Sequence, residues 1–113
     1  MDWTPNRPLT NDEIYFLSQL DEGKENIVTK TLLTRITGFN QRKMRELSNA
    51  LRKAEVPVIY FSNAKGYCLA KDYWELQEFI ESEIDSRTFD YLEQKKALKN
   101  CFKDRQMRFE LNG

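Results

Sequence analysis

The sequence predicts an α+β, mainly helical fold with three short helices, a β-hairpin and a long C-terminal helix or helix pair. Two observations in the middle of the chain carry this prediction. Apolar residues recur every three or four positions between residues 29 and 54, and Gly38 interrupts the pattern once. A β-branched and aromatic run follows at residues 58–61 and ends in turn-forming residues. The 113 residues suffice for one domain, or for one small domain with an appended helix.

The residue pattern of the N-terminal segment predicts an extended arm followed by a first helix. We expect Trp3 to pack on the core, the alternative being an arm that follows a DNA backbone through Arg7. Thr10 and Glu13 have the spacing of a capping box, so the first helix should begin there. A short strand is expected at residues 27–28. The apolar residues expected on the buried side of the first helix are Ile14, Leu17 and Leu20.

Two helices joined by a glycine turn form the centre of the prediction. The second helix covers residues 29–36, and Gly38 can end it sharply because glycine adopts a positive φ without steric cost. Asn40 should cap the third helix by accepting a backbone N–H from its first turn. Each helix carries one apolar face. The predicted core residues are Leu32, Leu33 and Ile36 in the second helix, and Met44, Leu47, Leu51 and Ala54 in the third.

The other side of the third helix carries a polar stripe of Arg42, Arg45, Asn49 and Arg52. Arg can bind the O6 and N7 atoms of guanine, and Asn the N6 and N7 atoms of adenine, in a groove wide enough for a helix. An ordinary solvated helix face has the same pattern, and the stripe alone favours that alternative. The glycine turn before the helix and the hairpin after it reverse this preference.

A tight β-hairpin is predicted after the third helix. Pro57 cannot continue a helix, and residues 67–70 can return as the partner of the strand at residues 58–61. A two-stranded ribbon of this length is not stable alone, so it should pack on the helices and leave its tip free. Asn63 and Lys65 at the tip would then contact phosphate or the minor groove, which positions a protein without specifying sequence. A plain structural hairpin is the alternative.

Residues 29–70 resemble the winged helix-turn-helix of the biotin-operon-repressor and DeoR type. In that family a Gly-apolar-polar turn opens the recognition helix and the wing ends in Lys-Gly-Tyr-x-Leu. The corresponding residues here are Gly38-Phe39-Asn40 and Lys65-Gly66-Tyr67-Cys68-Leu69. With its Trp3-Thr4-Pro5 opening, the whole chain is also similar to small DNA-binding proteins of phages and prophages in Gram-positive bacteria.

We expect two parts: a winged helix-turn-helix domain with its N-terminal arm at residues 1–70, and a C-terminal helical extension at residues 71–113. The chain departs from the family pattern at Thr34, where a small residue is usual, and at Thr37, where an apolar residue is usual. We expect no counterpart to the enzymatic half of the biotin repressor.

The net charge is zero, but the charges are unevenly distributed. Residues 24–65 hold nine Lys and Arg against three Glu, an excess of six positive charges. Residues 71–93 hold two basic and eight acidic residues, and residues 94–113 hold six basic and two acidic ones. The basic excess around the third helix is the pattern expected for phosphate contact. The acidic segment should face solvent or a basic partner.

The extension contains an incomplete heptad pattern. Its apolar members recur at steps of four, seven and seven, and polar Arg87 and Gln94 occupy the alternate seam positions. The helix could pack back on the winged domain or pair with a symmetry mate. We favour a homodimer, because two-fold dimers are the commonest arrangement and suit two DNA half-sites. Asp72 should cap the extension, and residues 86–88 could divide it. The apolar members are Ile80, Ile84, Tyr91 and Leu98.

Composition excludes several other classes of protein. No apolar run approaches the ~20 residues of a membrane span, and the N-terminus has no signal-peptide apolar region. Cys68 and Cys101, with no His in the chain, match neither zinc spacing nor a disulfide framework, so we expect a cytoplasmic location. Without His or a Gly-rich phosphate loop, we expect no enzyme, cofactor, metal or small-molecule ligand.

These observations predict double-stranded DNA binding, most simply by a phage- or prophage-type transcriptional regulator. The alternative is a DNA-binding or protein-binding subunit of a replication-initiation or DNA-packaging assembly, in which the C-terminal helix is the oligomerisation or partner-binding element. A winged fold used only for protein contact is a third possibility. The predicted DNA-binding residues are Gln41, Arg42, Arg45 and Asn49 for bases, and Lys43, Arg52, Lys53, Asn63 and Lys65 for the backbone.

Overall fold

The computed structural model describes residues 3–81 and 89–101, and these form a mainly helical α+β fold. Within these ranges there are five α-helices and one three-stranded antiparallel sheet, with a short 3-10 helix, Lys24–Asn26, before the first strand. In chain order the elements are α1 (Asn11–Ser18), β1 (Val28–Thr29), α2 (Lys30–Thr37), α3 (Gln41–Lys53), β2 (Val58–Phe61), β3 (Gly66–Leu69), α4 (Tyr73–Phe79) and α5 (Phe89–Leu98).

The predicted helix caps are confirmed. The Glu13 backbone N–H donates to Thr10 Oγ1 at 3.1 Å, and the Thr10 N–H donates to the Glu13 carboxylate at 2.8 Å, which completes the capping box. The Lys43 N–H donates to Asn40 Oδ1 at 2.7 Å at the start of α3. Asp72 caps α4 in the same way. These side chains satisfy backbone donors that a helix leaves unpaired at its N-terminus, so they fix where each helix begins.

Positive φ angles mark the ends of α2 and α3. Gly38 has φ 78° and donates its N–H to the Thr34 carbonyl at 2.9 Å, as the glycine turn requires. The prediction that Pro57 stops α3 is wrong. That helix already ends at Lys53, and Glu55 reverses the chain with φ 66°. Pro57 only keeps the segment extended ahead of β2.

The sheet confirms both the predicted hairpin and the short extra strand. Its strand order is β1-β3-β2, with Tyr67 opposite Val28 on one side and opposite Tyr60 on the other. The turn at residues 62–65 is exposed. The Lys30 backbone N–H donates to the Lys65 carbonyl at 2.9 Å, so the first residue of α2 is tied to this turn.

Both faces of the sheet are covered by helices. Successive side chains of a strand point to opposite faces. Tyr67 packs edge-on against Phe16 of α1, with 5.6 Å between ring centroids. Phe61, on the other face, meets Phe79 of α4 at 6.5 Å. The extension therefore shares one core with the preceding residues. The core members that it contributes are Leu76, Phe79, Ile80, Leu98 and Cys101.

The predicted core of α3 is confirmed, because all four of its expected residues are buried. The predictions for α1 and α2 are only partly right. Leu33 and Leu20 are buried and Leu17 is half-buried, but Ile14, Leu32 and Ile36 remain exposed. Phe16 fills the place expected for Ile14. Glu13 can also lie on the buried side, since the Thr10 N–H and Arg7 satisfy its carboxylate. Trp3 packs on the core as predicted.

The described part of α5 packs on α3 of its own chain. Gln94 and Leu98, two residues of the seam pattern, are fully buried there. Of the two explanations for that pattern, packing on the same chain accounts for this contact, and pairing with a symmetry mate stays a prediction. The proposed break at residues 86–88 lies outside the described residues. No helix in the described ranges is long and apolar enough to cross a bilayer.

We predict that Glu13→Gln destabilises the protein by about 1–2 kcal/mol at pH 7. The hydrogen bond from Arg7 holds the pKa of the Glu13 carboxyl below its usual value, with the Thr10 contacts adding to this. A lowered pKa stabilises the fold above the unfolded-state pKa of about 4.3, and this stabilisation is lost as the pH falls through the folded-state value. Urea unfolding at pH 7 and near pH 3 measures the difference in stability between Glu13→Gln and the wild type. This difference should shrink at the lower pH.

Glu22→Gln is the matched control, because Glu22 is exposed. It should change the stability by less than about 0.5 kcal/mol at either pH. Equal effects of the two substitutions would contradict the role assigned to Glu13.

Candidate nucleic-acid interface

The first half of α3 presents three of the predicted base-reading side chains to solvent. Gln41, Arg42 and Arg45 are all exposed. Arg42 lies 3.6 Å from the carboxylate of Glu46, one turn along the helix. Arg45 has no carboxylate within ion-pair distance among the described residues. Because 41 and 45 are four residues apart and 42 and 45 are three apart, these side chains lie on one face.

Lys43 points from the same turn toward α1. Its ammonium group lies 3.1 Å from the Asp12 carboxylate and 6.0 Å from the centre of the Phe39 ring. The side chain is half-buried in this position. A partly exposed surface ion pair of this kind is worth about 1 kcal/mol or less, so a phosphate could displace the carboxylate.

The second half of α3 is covered, and here the predicted role of Arg52 is corrected. The residue is only 5% exposed. Its Nε donates to the Val58 carbonyl at 2.7 Å, and its Nη1 donates to Asn49 Oδ1 at 3.1 Å and to Gln94 Oε1 at 3.2 Å. The guanidinium carbon also lies 4.7 Å from the centre of the Phe79 ring. Arg52 therefore connects α3 to β2, α4 and α5 and is almost completely shielded from solvent.

Asn49 and Lys53, its neighbours in the predicted site, are drawn into the same contact. The side-chain oxygen of Asn49 accepts from Arg52, and the residue is half-buried. Lys53 Nζ lies 3.8 Å from the Glu93 carboxylate of α5. Two consecutive residues of α5, Glu93 and Gln94, thus contact Lys53 and Arg52. The structure divides the predicted set into an exposed group at the start of α3 and a covered group at its end.

Helical spacing alone could not reveal this division. Residues 42, 45, 49 and 52 share one side of α3, but a 13-residue helix is about 20 Å long and another helix can cover part of it. The signal that was missed is Gln94, a polar residue at a seam position of an apolar pattern. A buried amide needs a hydrogen-bond partner, and a polar residue on the neighbouring helix is the natural one.

The hairpin turn presents a second set of exposed polar and basic side chains, in addition to those at the start of α3. Asn63 and Lys65 are exposed, and Lys65 adopts a left-handed backbone with φ 52°. Lys30 is half-buried at the N-terminus of α2, where its N–H donates to the Lys65 carbonyl. Neither lysine has an ion-pair partner among the described residues. Lys30 was not among the predicted DNA-binding residues, because only the fold joins it to the turn.

Tyr67 belongs to β3, and its ring packs edge-on against Phe16 of α1. Burial raises the pKa of its hydroxyl, although the positive charges of Arg52 and Arg45 act in the opposite direction. The phenol is therefore protonated at neutral pH.

Other kinds of site find little support in the described ranges. No group of three or more His, Cys, Asp or Glu residues is placed there to hold a metal ion. Burial raises the pKa of both cysteine thiols, Cys68 and Cys101, to about 12. Both are therefore protonated and poor nucleophiles at neutral pH.

A scan against protein-family models, a search among curated proteins and a search among solved structures each returned no match. The function of the chain is therefore inferred from its own residues and geometry.

We predict that Arg52→Ala lowers the free energy of unfolding by about 2–4 kcal/mol. The substitution leaves Asn49, Gln94 and the Val58 carbonyl short of a donor and opens a cavity over Phe79. The free energy of unfolding of Arg52→Lys should lie between those of Arg52→Ala and the wild type, because lysine keeps the charge but lacks the planar guanidinium. Chemical denaturation followed by circular dichroism measures all three.

Arg42→Ala is the control, since its side chain is 81% exposed. It should change the stability by no more than about 0.5 kcal/mol. If Arg52→Ala unfolds at the same denaturant concentration as the wild type, Arg52 is not the structural connection described above.

Proposed function

We propose that this protein binds double-stranded DNA through the first half of α3, as a winged helix-turn-helix protein. The observation that carries the proposal is the exposed face of Gln41, Arg42 and Arg45, which comes directly after the turn at Gly38. In helix-turn-helix proteins the N-terminal residues of the recognition helix contact base edges in the major groove. The covered end of α3 is thus compatible with such docking.

The topology supports the same proposal. The order α1, β1, α2, α3, β2, β3 is the predicted arrangement of helix, turn, helix and hairpin, with the extra strand included. Strand β3 lies in the middle of the sheet and β2 at its edge. The hairpin turn is exposed, so it can lie beside a duplex while α3 lies in the groove.

The geometry refines which residues are proposed to contact DNA. Base reading is assigned to the three exposed residues of α3 and backbone contact to the hairpin turn, with Lys30 added beside it. Arg52 is left out because it is buried, and Asn49 and Lys53 lie at the margin against α5. Arg and Gln at the remaining positions suit guanine and adenine respectively. The proposed contact residues are Gln41, Arg42, Arg45, Lys30, Lys43, Asn63 and Lys65.

Charge supports this orientation. The basic residues of the proposed surface lie in the segment with six excess positive charges, whereas α4 lies in the segment with six excess negative charges. A duplex would be attracted to the first and repelled by the second. We propose transcriptional regulation as the biological role, because sequence-reading side chains without catalytic groups suit an operator-binding protein. A subunit of a replication or packaging assembly is the second candidate.

We predict that Arg45→Ala weakens specific DNA binding by about 1–3 kcal/mol and relaxes base preference at one position. The specific site is first obtained by selection from a random duplex pool, and affinities are then measured by fluorescence anisotropy at several salt concentrations. Removing a phosphate-contacting cation such as Lys65 should instead reduce affinity for all sequences and lower the salt slope by about one.

Lys71→Ala is the matched control. Lys71 is an exposed cation that lies 3.8 Å from both Glu25 and Glu75, beside α4 and outside the proposed surface. It should leave affinity and selectivity unchanged. Selected sequences without a consensus, or an Arg45→Ala variant with wild-type affinity and selectivity, would contradict the proposal.

A further inference from the structure

Large apolar side chains remain exposed on two separate surfaces of the described fold. The first lies between α1 and α2, where the Tyr15 hydroxyl donates to the Ile36 carbonyl at 3.3 Å and the Tyr15 ring lies 6.0 Å from that of Phe39. Leu32 is one helical turn before Ile36 on the same side of α2. These two residues are 44% and 46% exposed. We call Tyr15, Leu32 and Ile36 the α2 patch.

The α2 patch is not a misplaced part of the core. Leu33 already fills the buried side of α2 and has no exposed surface. Single exposed apolar residues are common, but a contiguous group is typical of an interaction surface. Arg35 is exposed on the same helix and has no ion-pair partner among the described residues. The patch therefore combines apolar area with an available positive charge.

The second surface is on α4. Trp74 is 57% exposed, the largest exposed fraction among the large apolar residues described. Glu78, which is exposed, follows it four residues later and lies on the same side of the helix. Glu81, also exposed, lies just beyond the end of α4. The opposite side of α4 is anchored in the core by Leu76 and Phe79. We call Trp74, Glu78 and Glu81 the α4 knob.

We propose that the α4 knob of one molecule binds the α2 patch of a second copy of the same chain. The indole supplies a large apolar contact for Leu32 and Ile36, and Trp is among the residues that contribute most to protein interfaces. Glu78 pairs with Lys24 of its own chain, so Glu81 is the knob carboxylate that is complementary to Arg35. A two-fold contact between two α2 patches would instead bring the Arg35 side chains of both copies together.

The distribution of charge favours the same contact. The segment of residues 24–65, which contains α2, has six excess positive charges, and the segment of residues 71–93, which contains α4, has six excess negative charges. Complementary potentials steer the encounter of two surfaces and disfavour the contact of like with like. A contact between the two different surfaces therefore joins segments of opposite net charge, whereas a contact of like surfaces does not.

A contact between different surfaces leaves each assembled molecule with an unused patch at one end and an unused knob at the other. Such heterologous interfaces produce closed rings or open filaments, not a closed dimer. The proposed DNA-contacting residues Gln41, Arg42 and Arg45 belong to neither surface. Self-association is thus independent of the DNA-binding proposal, and Arg45→Ala should leave it unchanged.

The test is sedimentation velocity of the full chain over a wide concentration range at low salt. We expect the average mass to rise with concentration above the 13.5 kDa of one chain. Trp74→Ala and Ile36→Asp should each weaken association by about tenfold or more. Ile14→Asp is the matched control, because Ile14 is an equally exposed apolar residue of α1 that does not belong to the patch. Circular dichroism verifies that each variant is folded.

A mixing experiment tests whether the contact joins the patch of one copy to the knob of the other. Trp74→Ala retains an intact patch and Ile36→Asp retains an intact knob, so an equimolar mixture should form a one-to-one dimer that grows no further. A wild-type chain that stays monomeric throughout, or a Trp74→Ala variant that associates like the wild type, would overturn the proposal. A mixture that stays monomeric would also overturn it.

Discussion

The buried guanidinium of Arg52 connects more elements of this fold than any other described polar side chain. It extends from α3, bonds to the start of β2 and to α5, and stacks on Phe79 of α4. A charge removed from water costs several kcal/mol unless its donors are satisfied, so the surrounding acceptors must stay in place. The buried side chain of Gln94 supplies one of these acceptors. The arrangement of α3, α4 and α5 around the sheet depends on that requirement.

This constraint also decides which surface remains for function. Because α5 is held against the last turns of α3, only the first half of that helix offers arginine and glutamine side chains to a partner. The turn at Gly38 and the cap at Asn40 set the start of the helix, and the exposed hairpin turn lies at the N-terminus of α2. The proposed DNA surface is thus short, basic and bounded by the acidic Glu93.

Sequence patterns predicted the local structure well and the burial of short helices poorly. In α3, 13 residues with a regular apolar face left one possible core side, and all four predicted residues are buried. In α1 and α2, each eight residues long, two competing faces exist. In α2 only Leu33 of the three expected core residues is buried, and in α1 Phe16 is buried while Ile14 is exposed. Two turns of helix carry too little periodicity to determine which face the neighbouring elements will cover.

The sequence by itself determined the caps, the glycine turn, the hairpin and the excess of positive charge, because these depend on residues within a few positions of one another. The tertiary structure alone decided that Arg52 is buried, that Lys30 lies beside Lys65 and that exposed apolar residues gather on α1 and α2. Contacts such as Arg52 to Gln94 join residues 42 positions apart. Which of several polar side chains meets such a partner depends on how whole helices pack, and local spacing contains no information about that.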